Sequence, residues 1–111
     1  MNQETTELAD RIRDVIGDDP NISEKKMFGG VCFMLNGNML CGASGTGNLM
    51  LRIGKEKYEE VLGLPFAKEM DFTGRVMKGF VYVEPDGYSN QEDMKRWIAV
   101  ATDFVGSLPP K

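Results

Sequence analysis

Two segments of the chain place apolar residues along one side of a helix. The first covers Thr5–Ile16 and ends at Gly17, because glycine readily adopts the left-handed conformation that often follows a helix. The second covers Lys55–Leu62 and ends at Gly63. The apolar residues are Leu8, Ile12, Val15 and Ile16 in the first segment and Tyr58, Val61 and Leu62 in the second.

A third and longer helix is predicted over about Gln91 to Val105, ending before Gly106. Its start has two candidates: Ser89, which forms a capping box with Glu92, or Asn90 acting as the N-cap. Its apolar stripe consists of Met94, Trp97, Ile98, Ala101, Phe104 and Val105.

Between the first two helices the apolar pattern takes the period of two that is typical of strands. Val31–Leu35 and Met39–Ala43 flank Asn36-Gly37, a dipeptide that favours a type I′ hairpin turn because both residues tolerate positive φ. A second turn at residues 44–47 leads into Asn48–Ile53. These segments predict a three-stranded antiparallel meander.

The second half of the chain predicts two more strands, Met70–Phe72 and Met77–Val83, joined by a turn at residues 73–75. Pro85-Asp86-Gly87 closes the sheet. The sequence therefore predicts an α+β fold of two layers, with about five antiparallel strands and three helices in the order α-β-β-β-α-β-β-α. Its 111 residues are expected to form a single domain, 1–111.

The hairpin turn predicts a strand register. With Asn36-Gly37 as a two-residue loop, Leu35 lies opposite Asn38, and Cys32 lies opposite Cys41 at a non-hydrogen-bonded position. With Gly37-Asn38 as the loop, Cys32 lies opposite Ala43 instead. The first register places Cys32, Met34, Met39, Cys41 and Ala43 on one face and Val31, Phe33, Leu35 and Leu40 on the other.

Both faces of this hairpin are apolar, whereas an antiparallel sheet with one solvated face alternates apolar and polar residues. We therefore expect helices on one face and a second chain or a partner protein on the other. A homodimer is the expected assembly, because an exposed patch of Met34, Met39 and Ala43 is larger than soluble monomers usually leave uncovered. The alternative is that the three helices divide between the two faces.

The composition excludes several classes of catalytic and metal-binding site. The chain has no histidine, which excludes a Ser-His-Asp triad, a Cys-His pair and a His-ligated zinc, and two cysteines cannot form a Cys₄ site. No apolar run approaches the ~20 residues that cross a bilayer, and the first residues lack a signal-peptide pattern. We expect a soluble cytoplasmic protein without membrane contact, cofactor or metal.

Cys32 and Cys41 are the candidate thiol pair. In the first register their side chains approach closely enough for a cross-strand disulfide to be conceivable. In a reducing cytosol, two buried thiols that act as small apolar groups are the alternative and the commoner case.

Two other motifs resemble functional sites, but each is better explained as a turn or a loop. The glycines of residues 42–47 lack the Gly-Lys-Ser/Thr sequence and the following helix of a phosphate-binding loop, and therefore indicate a hairpin turn. Residues 23–26 match the Ser-x-x-Lys spacing of some acyl-transfer enzymes, but the companion motifs are missing. We interpret this segment as a surface loop leading into a strand.

Four basic residues lie in or beside the predicted strands: Lys26, Arg52, Arg75 and Lys78. They either converge into a site for an acidic partner loop or a small anion, or remain separate charges that protect the edges of the sheet. They are the candidate binding residues, and no catalytic residue or metal ligand stands out.

Several separated stretches resemble one family. Met27–Val31, Leu49–Gly54, Met70–Val83 and Ser107–Lys111 together resemble the N-terminal domain of TfoX/Sxy proteins, and the resemblance covers the chain from about residue 25 onwards. It implies helices packed on an antiparallel sheet and a cytoplasmic regulator associated with natural transformation competence. Full-length members look like co-activators of a CRP-type transcription factor and carry a second, C-terminal domain, whereas this chain stops after the first.

The leading hypothesis is therefore a non-enzymatic regulatory or adaptor domain that acts by protein contact, with a CRP-type transcription factor as the implied partner. The alternative is a domain that binds a small anionic ligand. An enzyme is the third hypothesis, for which the sequence offers no residues. Direct DNA binding by this domain is not expected, because its net charge is −4 and no run of basic residues exceeds two.

Overall fold

The computed structural model of the chain describes residues 2–27, 29–72 and 74–111. Phe28, part of one family-like stretch, and Thr73, part of a predicted turn, lie outside them. The fold is α+β, with three helices and an antiparallel sheet, as predicted. The helices are α1 (Gln3–Ile16), α2 (Tyr58–Leu62) and α3 (Gln91–Val105), and the strands are β1 (Ile22–Met27), β2 (Gly30–Leu35), β3 (Asn38–Ala43), β4 (Leu49–Arg52), β5 (Ala67–Phe72) and β6 (Arg75–Val83).

The helix ends follow from the residues that cap them. The Asn2 side chain accepts a hydrogen bond from the Thr5 amide at 2.8 Å and begins α1. At α3 the cap is Asn90, which accepts from the amide of Asp93 at 2.9 Å, so Asn90 and not Ser89 starts this helix. Helix α2 begins at Tyr58, three residues later than predicted.

The sheet has six strands in the order β1-β2-β3-β4-β6-β5, one more than predicted. The additional strand is β1, which pairs with β2 and includes the residues interpreted above as a surface loop, so that interpretation is wrong. The four central residues of β1 are exposed and polar, as is common in an edge strand. Arg13 of α1 holds β1 by donating to both carboxylate oxygens of Glu24, at 2.8 and 2.6 Å.

The hairpin of β2 and β3 starts in the predicted register and then shifts. Leu35 faces Asn38 and Met34 faces Met39, as predicted, but Phe33 then faces Cys41 and Cys32 faces Gly42. One residue of β3, Leu40, is therefore extra, and forms a β-bulge. The predicted opposition of Cys32 and Cys41 is wrong, and so is the alternative that placed Cys32 opposite Ala43.

All three helices lie on one face of the sheet and bury a common core with it, which we call the helix-side core. The bulge turns Cys41 and Ala43 towards this core, away from the face predicted for them. The larger side chains of the helix-side core are Leu8 and Ile12 of α1, Tyr58 and Val61 of α2, Met94, Ile98 and Val105 of α3, and Val31, Phe33, Leu35, Leu40, Leu49, Leu51, Val81 and Val83 of the strands.

The opposite face carries a second apolar cluster, to which none of the described helix residues belongs. We call it the open face. Its centre is buried, and its periphery is half-buried, so the outer side chains shield the inner ones. The centre consists of Cys32, Met39, Met50 and Met70, and the periphery of Met27, Met34, Met77, Phe80 and Tyr82.

Candidate functional site

The structure brings two of the four predicted binding residues together. Arg52, the last residue of β4, and Lys78 of β6 line one cavity of about 570 Å³, which we call the β4-end cavity. Lys26 lies three strands away on the edge strand β1, and Arg75 is the exposed first residue of β6. Neither lines this cavity.

An irregularity in β6 shapes the cavity. Gly79 has φ +91, a conformation that L side chains rarely adopt. Its carbonyl accepts hydrogen bonds from the amides of both Ile53 and Gly54, at 2.8 and 3.1 Å. Two donors on one carbonyl hold the end of β4 against Gly79 of β6, and the residues that follow β4 form one wall of the cavity.

Phe104, in the last turn of α3, forms another wall of the cavity. A Cβ at Gly54 would lie 2.5 Å from two ring atoms of Phe104, so only glycine allows the ring to lie where it does. Gly54 also has φ +84, which independently favours glycine. The position of Phe104 in the cavity therefore depends on Gly54.

The Arg52 guanidinium lies over two aromatic rings, with its central carbon 5.6 Å from the ring centroid of Phe80 and 5.8 Å from that of Phe104. Such contacts favour a cation by electrostatic attraction to the ring faces. Among the residues that the structure describes, no carboxylate lies within 4.0 Å of this guanidinium. The aromatic rings therefore position a charge that the described part of the protein does not neutralise directly.

The charge around the cavity is positive although the whole chain has a net charge of −4. Two acidic side chains, Glu56 and Asp103, face four basic ones, Arg52, Lys55, Lys57 and Lys78. Sequence reasoning missed Lys55, Lys57 and Phe104, because only the fold brings the segment after β4 next to α3. The charge and geometry suit a negatively charged group.

At the centre of the open face, Gly42 has no side chain to project from the sheet. Gly42 lies between Cys32 on β2 and Met50 on β4, and a Cβ there would lie 2.9 Å from the Met50 Cε atom. Without a side chain at Gly42, Met50 extends across β3. The half-buried methionines around it present flexible, polarisable side chains that adapt to a contacting surface.

A third surface lies on the helix side, where α3 meets the segment after α2. Leu64 and Phe66 are each 45% exposed, and together with Trp97 and Val100 they line a groove of about 550 Å³. Phe66 has φ +70, an unusual conformation for a bulky residue. We call this surface the Phe66 groove.

The two thiols are not arranged as nucleophiles. Burial raises the pKa of Cys32 to about 11, and burial followed by the nearby Cys32 raises the pKa of Cys41. Both thiols therefore remain protonated near neutral pH, and the thiolate is the reactive form. In the described part of the chain, no group of three or more acidic or cysteine side chains is arranged to hold a metal ion.

One comparison with known proteins gives a match. The family model of the TfoX N-terminal domain matches residues 14–105, which include every strand and all of α2 and α3. No curated protein and no solved structure matches the chain. None of the helices among the described residues combines the length and hydrophobicity needed to cross a membrane.

Proposed function

Because the chain belongs to the TfoX N-terminal domain family, we propose that it is a regulatory adaptor domain that acts by contacting other proteins and catalyses no reaction. Residues 1–111 act as one domain, in the cytoplasm, and the regulated process is natural transformation competence, as the family resemblance implies. The proposal rests on two apolar surfaces: the open face, which has no helix of the described chain upon it, and the Phe66 groove.

A second copy of the chain occupies the open face. Six strands spaced by ~4.8 Å and about six residues long present roughly 24 × 20 Å of sheet, or about 480 Å² in projection. Because side chains project from the sheet, its solvent-accessible area is larger than this projection and approaches the ~800 Å² per partner that a standard interface buries. A two-fold dimer uses the same surface on both copies, which suits a face to which every strand contributes at least one apolar side chain.

Light scattering coupled to size exclusion tests the dimer. We expect about twice 12.4 kDa for the natural chain and 12.4 kDa for the Met34→Glu and Met77→Glu variants, which add charge on two separate strands of the open face. Ala99→Glu is the matched control, because Ala99 is exposed on α3. A monomeric natural chain at tens of micromolar contradicts the proposed homodimer.

The partner implied by the family is a CRP-type transcription factor, and we assign its contact to the Phe66 groove. Trp and other aromatic residues dominate the energetics of protein interfaces when neighbouring residues exclude water from them. Phe66 and Trp97 supply such anchors, and Trp97 is fixed by donating its indole N–H to the Gly87 carbonyl at 2.8 Å. The backbone of Phe66 is held by a hydrogen bond from the Glu84 amide to the Phe66 carbonyl at 2.9 Å.

Binding to a purified CRP-type factor tests this assignment. We expect Phe66→Ala to weaken binding at least tenfold, and Val76→Ala to leave it unchanged, since Val76 is 48% exposed but lies on β6 outside the groove. Equal loss in both variants, or no binding by the natural chain, contradicts the assignment.

Gene control by this domain then runs through protein contact and not through DNA. The last helix carries Glu92, Asp93 and Asp103 against Lys95 and Arg96. Lys95 pairs with Glu92 and Arg96 pairs with Asp93, each one turn away, so both bases are already partly neutralised. DNA affinity arises largely from basic residues that neutralise phosphates. We expect no shift of duplex DNA below ~100 μM protein at ~150 mM salt, and micromolar binding that falls steeply with salt contradicts this.

A further inference from the structure

The β4-end cavity has the size and position of a binding site for a small molecule. Its volume of about 570 Å³ lies within the ~300–1,000 Å³ typical of such sites. It is separate from the Phe66 groove, since none of the residues lining one cavity lines the other. With the open face it shares one residue, Phe80.

The four basic side chains that line this cavity form no ion pair among the described residues, although Glu56 and Asp103 line the same cavity. Arg52, Lys55, Lys57 and Lys78 are absent from the ion pairs of the described chain, although five such pairs form elsewhere. Arg52 is also half-buried, so it has lost part of its hydration without gaining a counter-charge. A bound anion would supply that counter-charge.

Arg52 is the most strongly positioned of the four. Its guanidinium contacts the rings of both Phe80 and Phe104, and Phe104 lies there because Gly54 has no side chain. A planar guanidinium held in this way presents its N–H donors in a fixed fork, which matches the oxygens of a carboxylate or phosphate. Lys78, on the neighbouring strand, adds a second and more flexible positive charge.

The cavity also has an apolar part beside its charged side chains and Ser107. Ile53, Phe80 and Phe104 contribute to its lining, and ligand sites commonly combine such surfaces with a few placed polar groups. We propose that the β4-end cavity binds a small organic anion, with its charged group on Arg52 and Lys78 and its apolar body against the two phenylalanines.

Amide chemical shifts of the ¹⁵N-labelled full chain test the proposal with benzoate, its neutral counterpart benzamide, and inorganic phosphate as probes. We expect benzoate to shift the amides of Gly54 and Gly79 in a saturable way, and benzamide to leave them unshifted at the same concentrations. Benzoate should also bind more tightly than phosphate, because phosphate has no apolar body.

Substitutions of single basic residues then show which side chains bind the benzoate carboxylate. Arg52→Gln should weaken benzoate binding about tenfold, since a charge-assisted hydrogen bond is lost. Lys78→Gln, at an exposed position where folding is not at risk, should weaken it at least threefold, and Arg75→Gln, a base outside the cavity, should leave it within twofold.

Several outcomes would overturn the proposal. They are equal binding of benzamide and benzoate, unchanged affinity in both Arg52→Gln and Lys78→Gln, or shifts that do not include the cavity amides. Tighter binding of a hexaglutamate peptide than of benzoate at the same amides would assign the cavity to an acidic protein segment instead. Failure of the dimer or of transcription-factor binding would not affect these results.

Discussion

Replacing Tyr58 by phenylalanine should stabilise the protein. Tyr58 begins α2 and is 5% exposed, and its hydroxyl is buried without a hydrogen-bond partner among the described residues. Folding removes this hydroxyl from water, and although the Glu69 carboxylate lies near enough to raise the pKa of Tyr58, no contact of hydrogen-bond geometry within the described chain replaces the lost water. The rest of the ring packs in the helix-side core, where phenylalanine fills the same space.

The expected gain follows from the cost of an unpartnered buried polar group, which is about 1–3 kcal/mol. We take the lower end, about 1 kcal/mol, because the hydroxyl lies at the edge of the fold near the cavity lined by Glu59 and Glu69. For a chain of 111 residues this corresponds to a rise in Tm of about 4 °C.

Alkaline pH should enlarge the difference. Burial, and then the negative charges of Glu69 and Glu59, raise the pKa of Tyr58. A pKa raised on folding means that the native state retains a proton that the unfolded chain releases, so stability falls as the pH rises above the ordinary tyrosine value of about 10. The phenylalanine variant lacks this loss, and its advantage should be greater at pH 10.5 than at pH 7.

Urea unfolding followed by circular dichroism at both pH values measures the effect. Tyr82→Phe is the control, because Tyr82 is half-buried at the periphery of the open face and its replacement should change stability by less than about 0.5 kcal/mol at pH 7. If Tyr58→Phe lowers stability at pH 7 by 1 kcal/mol or more, the hydroxyl has a partner and the reasoning is refuted.

Three further predictions address other parts of the fold. Gly54→Ala should cost about 2–3 kcal/mol in urea unfolding, because it combines positive φ with a clash against Phe104; a change under 0.5 kcal/mol would be contrary to this packing. Asn90→Ala should lower stability by about 1 kcal/mol through loss of the α3 cap, and an unchanged Tm would count against it. Cys32 and Cys41 should react with a thiol reagent only after unfolding, and rapid labelling of the native protein would contradict their burial.

The helices and inner strands could be predicted because burial determines their sequence pattern. Residues 91–105 repeat apolar side chains at helical spacing, and the structure places α3 at the same bounds. Strand β1 could not be found in this way, since an edge strand with exposed central residues carries no apolar alternation. Its pairing with β2 is determined by backbone hydrogen bonds and by the Arg13–Glu24 contact, neither of which leaves a periodic signal.

The hairpin register shows a second limit. The turn residues correctly set the first two pairs, but the bulge at Leu40 depends on what each side chain meets on the two faces. The shift places Cys41 in the helix-side core and leaves Cys32 on the open face, an outcome that alternation alone cannot give.

Only half of the candidate site was accessible to sequence reasoning. Arg52 and Lys78 drew attention as bases in strands, and the structure places both at the β4-end cavity. Lys26 and Arg75 had the same sequence character but lie elsewhere on the sheet. Phe104 was predicted as a core residue, and its contact with Arg52 arises from the docking of α3 on Gly54.

The methionines of the open face give this surface a graded sensitivity to peroxide. Oxidation converts a flexible apolar thioether into a polar sulfoxide, which reductases can reverse. The half-buried Met27, Met34 and Met77 are open to attack before Met50 and Met70, which are 0% exposed. Mild peroxide would thus make the periphery of the face polar while the centre stays intact, so an oxidised chain would keep its fold and lose an apolar contact surface.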